Sequence, residues 1–111
     1  MINITKEPLD PQSIAASVHN SSNGAIVTFI GTTRDTNVGR DVLYLEYEAY
    51  SPMAENKLAE IAGEVLEKYG VSDAAIVHRI GRLEVGEASL VVAIASPHRN
   101  DAFAACRYCV D

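Results

Sequence analysis

The chain has no tryptophan, only two cysteines, and no apolar run long enough to cross a bilayer. Positive charge is scarce as well. Nine lysines and arginines stand against fifteen acids, for a net charge of -6, and this excludes general nucleic-acid binding, which needs a basic face along the phosphate backbone. The same imbalance disfavours an anionic membrane surface. The N-terminus, Met1 to Glu7, lacks a basic start followed by an apolar stretch, so no secretory signal is read there. These absences predict a cytosolic protein whose Cys106 and Cys109 stay as thiols. No Walker loop, nucleophile elbow or G-x-G-x-x-G motif occurs.

What is present is the composition of an ordinary globular protein, 48% hydrophobic and 22% charged over 111 residues. That length suits one domain, spanning residues 1–111, with a core that needs neither disulfides nor metals as staples. Ile2 and Ile4 alternate as in a short strand, and Asp10-Pro11 supplies an N-cap and first-turn proline for a helix over Pro11 to His19. The run Ala25 to Ile30 predicts a largely buried strand ended by Gly31, and Thr32 to Asp41 an exposed loop carrying Arg34 and Arg40. Val42 to Tyr50 alternates as a half-buried strand, with Glu46 and Glu48 on one face. After Ser51-Pro52, the stripe Ala54, Leu58, Ile61, Ala62, Val65, Leu66 and Tyr69 marks a long helix stopped by Gly70.

Ala74 to Gly81 and Ala88 to Ala95 read as two antiparallel strands joined by a connection containing Gly86. Ser96-Pro97 repeats the cap-and-proline signal and opens a last helix with the stripe Ala102, Phe103, Cys106, Cys109 and Val110. The order of elements predicts an α+β fold, an antiparallel or mixed sheet with helices packed on it. The chain ends inside that last helix at Asp111, with no C-cap signal and no tail, a pattern that predicts continuation in the natural protein.

Ser96-Pro97-His98-Arg99 places an imidazole and a guanidinium at a helix start, directly after a buried strand. Backbone N–H groups there lack intrahelical partners and the helix dipole is positive, so the spot favours a phosphate or carboxylate. A plainer reading has Arg99 pairing with Asp101 or another surface acid and His98 capping the helix. Arg34, after the Phe29 strand, is expected at the same edge of the sheet, although a lone loop arginine is commonly a solvated charge. The C-x-x-C spacing of Cys106 and Cys109 admits redox or zinc chemistry, but both lie on an apolar stripe without a second ligand pair, as small buried hydrophobes do. Neither His19 nor His78 stands at a recognisable metal-ligand spacing. Residue types alone thus give an anion site and no reaction.

Three pieces stand in order: Gly24-Ala25-Ile26-Val27-Thr28-Phe29-Ile30-Gly31 with Arg34 three residues on, His78-Arg79-Ile80-Gly81, and His98-Arg99 followed by Ala102-Phe103. Together they resemble the large, catalytic subunit of molybdopterin synthase, over nearly the whole chain from Ile2 to Asp111. The resemblance implies an α/β-hammerhead-like fold and a sulfur-transfer reaction. In it, a cyclic pyranopterin monophosphate becomes the dithiolene-bearing molybdopterin. The sulfur arrives as a thiocarboxylate on the Gly-Gly C-terminus of a small ubiquitin-like partner subunit. It implies a homodimer within a heterotetramer, and no metal or cofactor in the protein itself.

By the same resemblance Arg34, His98 and Arg99 bind the anionic pterin, His98 serves the catalytic step as hydrogen-bond or proton donor, and Phe29 lines the pocket. The family's catalytic lysines lie just downstream, in a stretch ending in a Trp-Lys-type motif. This chain has no tryptophan and no lysine after Lys68. Lys6, Lys57 and Lys68 do not match those positions, so the resemblance places the completing groups beyond Asp111. The alternative is a non-catalytic module that binds a phosphorylated ligand or a partner's tail. A phosphate-handling hydrolase with Arg99 as clamp lacks a nucleophile or base in a recognisable motif.

Overall fold

A computed structural model describes the backbone of residues 1–34, 36–37, 40–41, 44–47 and 52–111, and the side chains of residues 1–34 and 53–111. Its order is β1 (Ile2–Thr5), α1 (Pro11–Ser17), β2 (Ala25–Thr32), β3 (Thr36–Asn37), β4 (Arg40–Asp41), β5 (Tyr44–Tyr47), α2 (Pro52–Tyr69), β6 (Asp73–Arg79), β7 (Gly81–Glu84), β8 (Ala88–Ser96) and α3 (Arg99–Val110). The fold class is α+β, as expected. Four strands form one mixed sheet in the order β1-β6-β8-β2. β1 runs parallel to β6, whereas β8 is antiparallel to both β6 and β2.

β8 is the centre of this sheet, and its sequence shows why. Val91 to Ala95 is an unbroken apolar run, and every residue from Val91 to Ser96 is buried. A strand covered on both faces needs no polar alternation. Val92 and Ile94 join Ile76 and Ala74 under α2 and α3, where Ala62, Val65, Ala102, Ala105 and Cys106 close the larger core. Val91, Ala93 and Ala95 face the other way, with Ala75 and Val77, toward Ile14 and Val18 of α1 and its end. The three alanines on that face let a short helix lie close to the sheet. α1 has only seven residues, too few to be helical alone, so its stability comes from this packing and from its cap. Asp10 accepts from the N–H groups of Gln12 and Ser13 and from the Ser13 hydroxyl, and these Ser13 bonds hold its carboxyl below the ordinary range.

Several expectations are corrected. α1 ends at Ser17, two residues short of His19. β2 does not stop at Gly31 but continues to Thr32, with a register shift between those two residues. Nor is it largely buried: it is an edge strand, and Ile26, Phe29 and Ile30 are exposed. Inside the expected loop, β3 and β4 pair as a small antiparallel ribbon, with Asn37 opposite Arg40; the Arg40 side chain lies outside the described residues. Of the strand expected over Val42 to Tyr50, Tyr44–Tyr47 is seen, and the side chains of Glu46 and Glu48 lie outside the described residues. Its partner, β7, was hidden in the connection expected between β6 and β8; Tyr47 pairs with Gly81 and Tyr44 with Glu84.

The β7–β8 turn depends on Gly86, whose φ of 89° puts it in the left-handed region that a Cβ disfavours. α2 runs as expected and stops before Gly70, with Val65 fully buried and Leu66, at the edge of the stripe, 39% exposed. In α3 the stripe that meets the sheet contains Ala102, Ala105 and Cys106. Phe103 sits about 100° round the helix from Ala102, and it is 61% exposed rather than buried. No helix among the described residues is long and apolar enough to cross a membrane.

Ile94 is fully buried and central to the larger core. Ile94→Ala should therefore lower the free energy of unfolding by about 2–5 kcal/mol, measured by urea denaturation. A loss well below 1 kcal/mol would show that this core collapses around the void.

Candidate functional site

The register of β2 on β8 puts Ala25 opposite Ser96, so the start of β2 and the exit from β8 lie side by side. Gly24 stands at that junction. A Cβ built on it would come within 2.7 Å of the Pro97 carbonyl oxygen, a separation real Cβ atoms do not tolerate. Glycine is thus required there for close approach of two backbones. With Pro97, His98, Arg99 and Asn100, Gly24 lines a recess of about 410 Å³.

The helix begins two residues later than the cap-and-proline signal suggests. Ser96 is the last residue of β8 and is buried, and its hydroxyl accepts from the His98 N–H at 3.3 Å. His98 is the N-cap, with extended dihedrals (φ −127°, ψ 135°) and no hydrogen bond from its side chain to the helix. Its carbonyl accepts the first helical bond, from Ala102. Arg99 is the first helical residue. The backbone N–H groups of the first turn have no intrahelical partners and point toward the recess end of the helix. Both His98 and Arg99 are exposed. Among the described residues Arg99 makes no ion pair with Asp101; the pairs found are Arg79–Glu87, Arg82–Glu84 and Arg107–Asp111. The plainer reading of Arg99 therefore loses its main support. Two side chains able to carry positive charge, next to a positive helix end with no paired acid, form a place where an anion is favoured.

The other predicted residues lie elsewhere. Arg34 follows the far end of β2, where Thr32 pairs with Ala88. Seven residue steps along β2 separate Thr32 from Ala25, about 23 Å at roughly 3.3 Å per residue. The expectation that Arg34 meets His98 and Arg99 within one chain is thus wrong, because antiparallel pairing sends the two ends of β2 to opposite ends of β8. Arg34 is exposed, and Thr33 before it is buried. Phe29 occupies a third position, in a recess of about 290 Å³ shared with Val27, Phe103, Cys106 and Val110. A larger recess of about 600 Å³ lies between α2 and α3, near Lys57, Tyr69 and Tyr108. It contains none of the predicted residues. Beside it the Lys68 ammonium sits over the rings of Tyr69 and Tyr108, and Tyr108 donates to Glu64.

The thiols are not poised for chemistry. Burial raises the Cys106 thiol above its ordinary value, and burial together with the neighbouring Cys106 pushes Cys109 up to about 11. Both are neutral near pH 7, as small hydrophobes of the α3 stripe. No cluster of three or more metal-ligating side chains is found among the described residues. Burial lowers the pKa of His78, so its imidazole is biased to the neutral form. Sequence reasoning missed Gly24, whose only signal was a glycine before an apolar strand. It also missed Glu87 as the partner of Arg79; the available signal was a guanidinium at the end of a strand with the apolar run Ala74 to Val77, where a partly covered charge calls for a nearby acid.

The family profile described as MoaE protein matches residues 4–111. The chain belongs to the MoaE family. Among its relatives, the molybdopterin synthase catalytic subunit of Bacillus subtilis is 47% identical over 108 residues, which are 97% of this chain and 69% of that one. The protein of the same name from Pyrococcus abyssi is 44% identical over 112 residues, covering 99% and 76%. In structure, the chain matches molybdopterin synthase from Staphylococcus aureus with a TM-score of 0.93 at 41% identity, over 98% of this chain and 80% of that one. A more distant protein from Helicobacter pylori, 17% identical, shares the fold with a TM-score of 0.75. This MoaE-family chain therefore carries the family fold with His98 and Arg99 at the mouth of one recess and Phe29 in another.

Two outcomes test this geometry. Gly24→Ala forces the Pro97 backbone outward and should cost about 1–3 kcal/mol of stability, read from the urea midpoint; an unchanged midpoint would show that the contact relaxes freely. With the Cys109 thiol near 11, alkylation of the folded protein by iodoacetamide should rise about tenfold per pH unit from about pH 7 to about pH 10. A rate already level at about pH 9, followed by mass spectrometry, would mean an ordinary thiol.

Proposed function

We propose that this chain is the catalytic subunit of a molybdopterin synthase acting in molybdenum cofactor biosynthesis in the cytoplasm. It transfers sulfur from the C-terminal thiocarboxylate of a small ubiquitin-like subunit to cyclic pyranopterin monophosphate. Membership of the MoaE family supports the reaction class, and the exposed His98–Arg99 pair at the start of α3, free of an ion pair with Asp101, is the observation that carries the site. The Helicobacter pylori fold relative is described as a complex of subunits 1 and 2 of molybdopterin-converting factor, in keeping with a second, smaller chain as partner.

In this reading the pterin phosphate rests against the first-turn N–H groups of α3. Arg99 supplies a forked, permanently charged donor to its oxygens. His98, held at the N-cap with its imidazole free of the helix, donates a hydrogen bond or a proton to the reacting pterin. A cationic site also suits the thiocarboxylate, which is a second anion, and holding both together brings sulfur near the pterin side chain. Arg34 belongs to the same site only if two copies of the chain meet. Its distance from His98 along β2 excludes a shared pocket in one copy, so the reading requires a homodimer in which Arg34 of one copy faces the α3 start of the other. Each homodimer then carries one small subunit at each end.

Mixing the protein with thiocarboxylated small subunit and cyclic precursor should yield molybdopterin. Arg99→Ala and Arg34→Ala should each lower kcat/KM at least about tenfold, as loss of a charge-assisted contact to a phosphate does. Precursor binding without any product would replace this reading by a non-catalytic binding module. Wild-type rates in both variants would remove the anion site.

A further inference from the structure

Arg34 lies just past the register shift between Gly31 and Thr32. The ladder between β2 and β8 ends at Thr32 and Ala88, so strand pairing no longer fixes the backbone from Thr33 onward. Yet Thr33 is 4% exposed and both of its backbone groups are held. Its N–H donates to the Glu87 carbonyl at 3.0 Å, and its carbonyl accepts from the Gly86 N–H at 2.8 Å. Arg34 thus leaves a residue clamped by the β7–β8 turn.

One carboxylate holds that turn. Glu87 Oε1 accepts from the Glu84 N–H at 2.8 Å, closing the turn on itself, while Oε2 accepts from Arg79 Nη1 at 2.6 Å. Arg79 is the last residue of β6, and its side chain is only 12% exposed against 34% for Glu87. Its Nε is buried without a hydrogen-bond partner among the described residues, so Glu87 is the acid that answers its charge. An ion pair with one member mostly out of water is costly to break on one side, because the remaining charge is stranded. The pair therefore ties the turn to the end of β6, an inner strand of the sheet.

We infer that Arg79 and Glu87 are positioning residues, which fix the place of Arg34 for its anionic ligand through a chain of bonds running from Arg79 to Glu87, the β7–β8 turn and Thr33. This rests on the reading of Arg34 as a pterin-phosphate ligand given above. Neither residue touches the ligand. Their effect on binding passes through Arg34 and disappears when Arg34 is absent, which a merely stabilising ion pair would not show.

The test is a double-mutant cycle on the full chain with its small subunit, reading the Kd of the cyclic pterin monophosphate. Glu87→Gln keeps an acceptor for the Glu84 N–H and removes the charge facing Arg79. It should weaken binding about tenfold in the Arg34 background and less than about twofold in the Arg34→Ala background. Arg79→Lys keeps the charge and should recover part of the loss that Arg79→Gln causes. Amide exchange gives a readout independent of ligand: Thr33 and Gly86 should exchange about tenfold faster in Glu87→Gln, while Ala93 in the middle of β8 keeps its rate. Equal weakening in both backgrounds, or unchanged exchange at Thr33 and Gly86, overturns the inference. Should Arg34→Ala bind as tightly as the wild type, the reading of the site fails first, whatever the exchange rates show. Where Glu87→Gln does not fold, Arg79→Lys carries the same cycle.

Discussion

Antiparallel pairing of β2 with β8 is the constraint on which the rest of the structure depends. From Ala25↔Ser96 to Thr32↔Ala88 it fixes both ends of an edge strand against the buried centre of the sheet. At one end it presses Gly24 onto Pro97 and thereby sets where α3 begins. At the other it brings Thr33 against the β7–β8 turn. Arg34, His98, Arg99 and Phe29 are each on β2, on α3, or within two residues of an end of this pairing. Because β8 is buried on both faces, sliding the register by one residue would turn Val92 and Ile94 out of the larger core and bring Val91 and Ala93 into it. Both faces are apolar, but the alanines of the α1 face leave no room for Ile94, so side-chain size disfavours the slip and the position of the site follows from the core.

That constraint also explains why a basic site is compatible with an acidic chain. The net charge is -6, but charge acts locally, over about 8–10 Å at physiological salt. His98 and Arg99 sit at a strand-to-helix junction where the nearest acid in the helix, Asp101, is not paired with Arg99. At the other end of β2, the acids Glu84 and Glu87 are engaged, one with Arg82 and the other with Arg79 and the Glu84 N–H. These acids are thus occupied beside Arg34. Holding Glu84 and Glu87 on other partners leaves more positive potential at that end of β2, without changing the total.

Much of the fold could be read from the sequence, and the parts that could not have a common cause. Local signals were reliable: Asp10-Pro11 opens α1, and Gly70 comes directly after the end of α2. The apolar run of β8 announced a buried strand. What escaped were features decided by which strand lies beside which. β7 is only four residues long, and one buried side chain, Leu83, between exposed Arg82 and Glu84 is too short an alternation to mark a strand; its pairing with β5 makes it one. β2 carries the composition of a buried strand, but an edge position leaves Ile26, Phe29 and Ile30 exposed. The same lack of register information made Arg34 and His98 look like neighbours. Ser96-Pro97 was read as a cap because the local pattern fits one; the buried end of β8 takes Ser96 first, and the helix starts after it. The residue types of the anion site were therefore legible, whereas its geometry was not.

The placement of Arg99 carries a final consequence for stability. A cation in the first turn of a helix opposes the dipole and is unfavourable by some tenths of a kcal/mol when exposed. His98 gives up the side-chain cap that serine, threonine, asparagine or aspartate would supply there, which commonly contributes about 1 kcal/mol. Asp10 shows that this chain uses such a cap where only the helix matters. The start of α3 is thus built less well for the helix than the start of α1, although α3 packs on the larger core and can bear it. An anion bound between the first-turn N–H groups and Arg99 would reverse both deficits, taking the place of the missing cap and neutralising the misplaced cation. Binding and helix stability at this junction would then be the same interaction, because His98 makes no side-chain cap bond to the first-turn N–H groups.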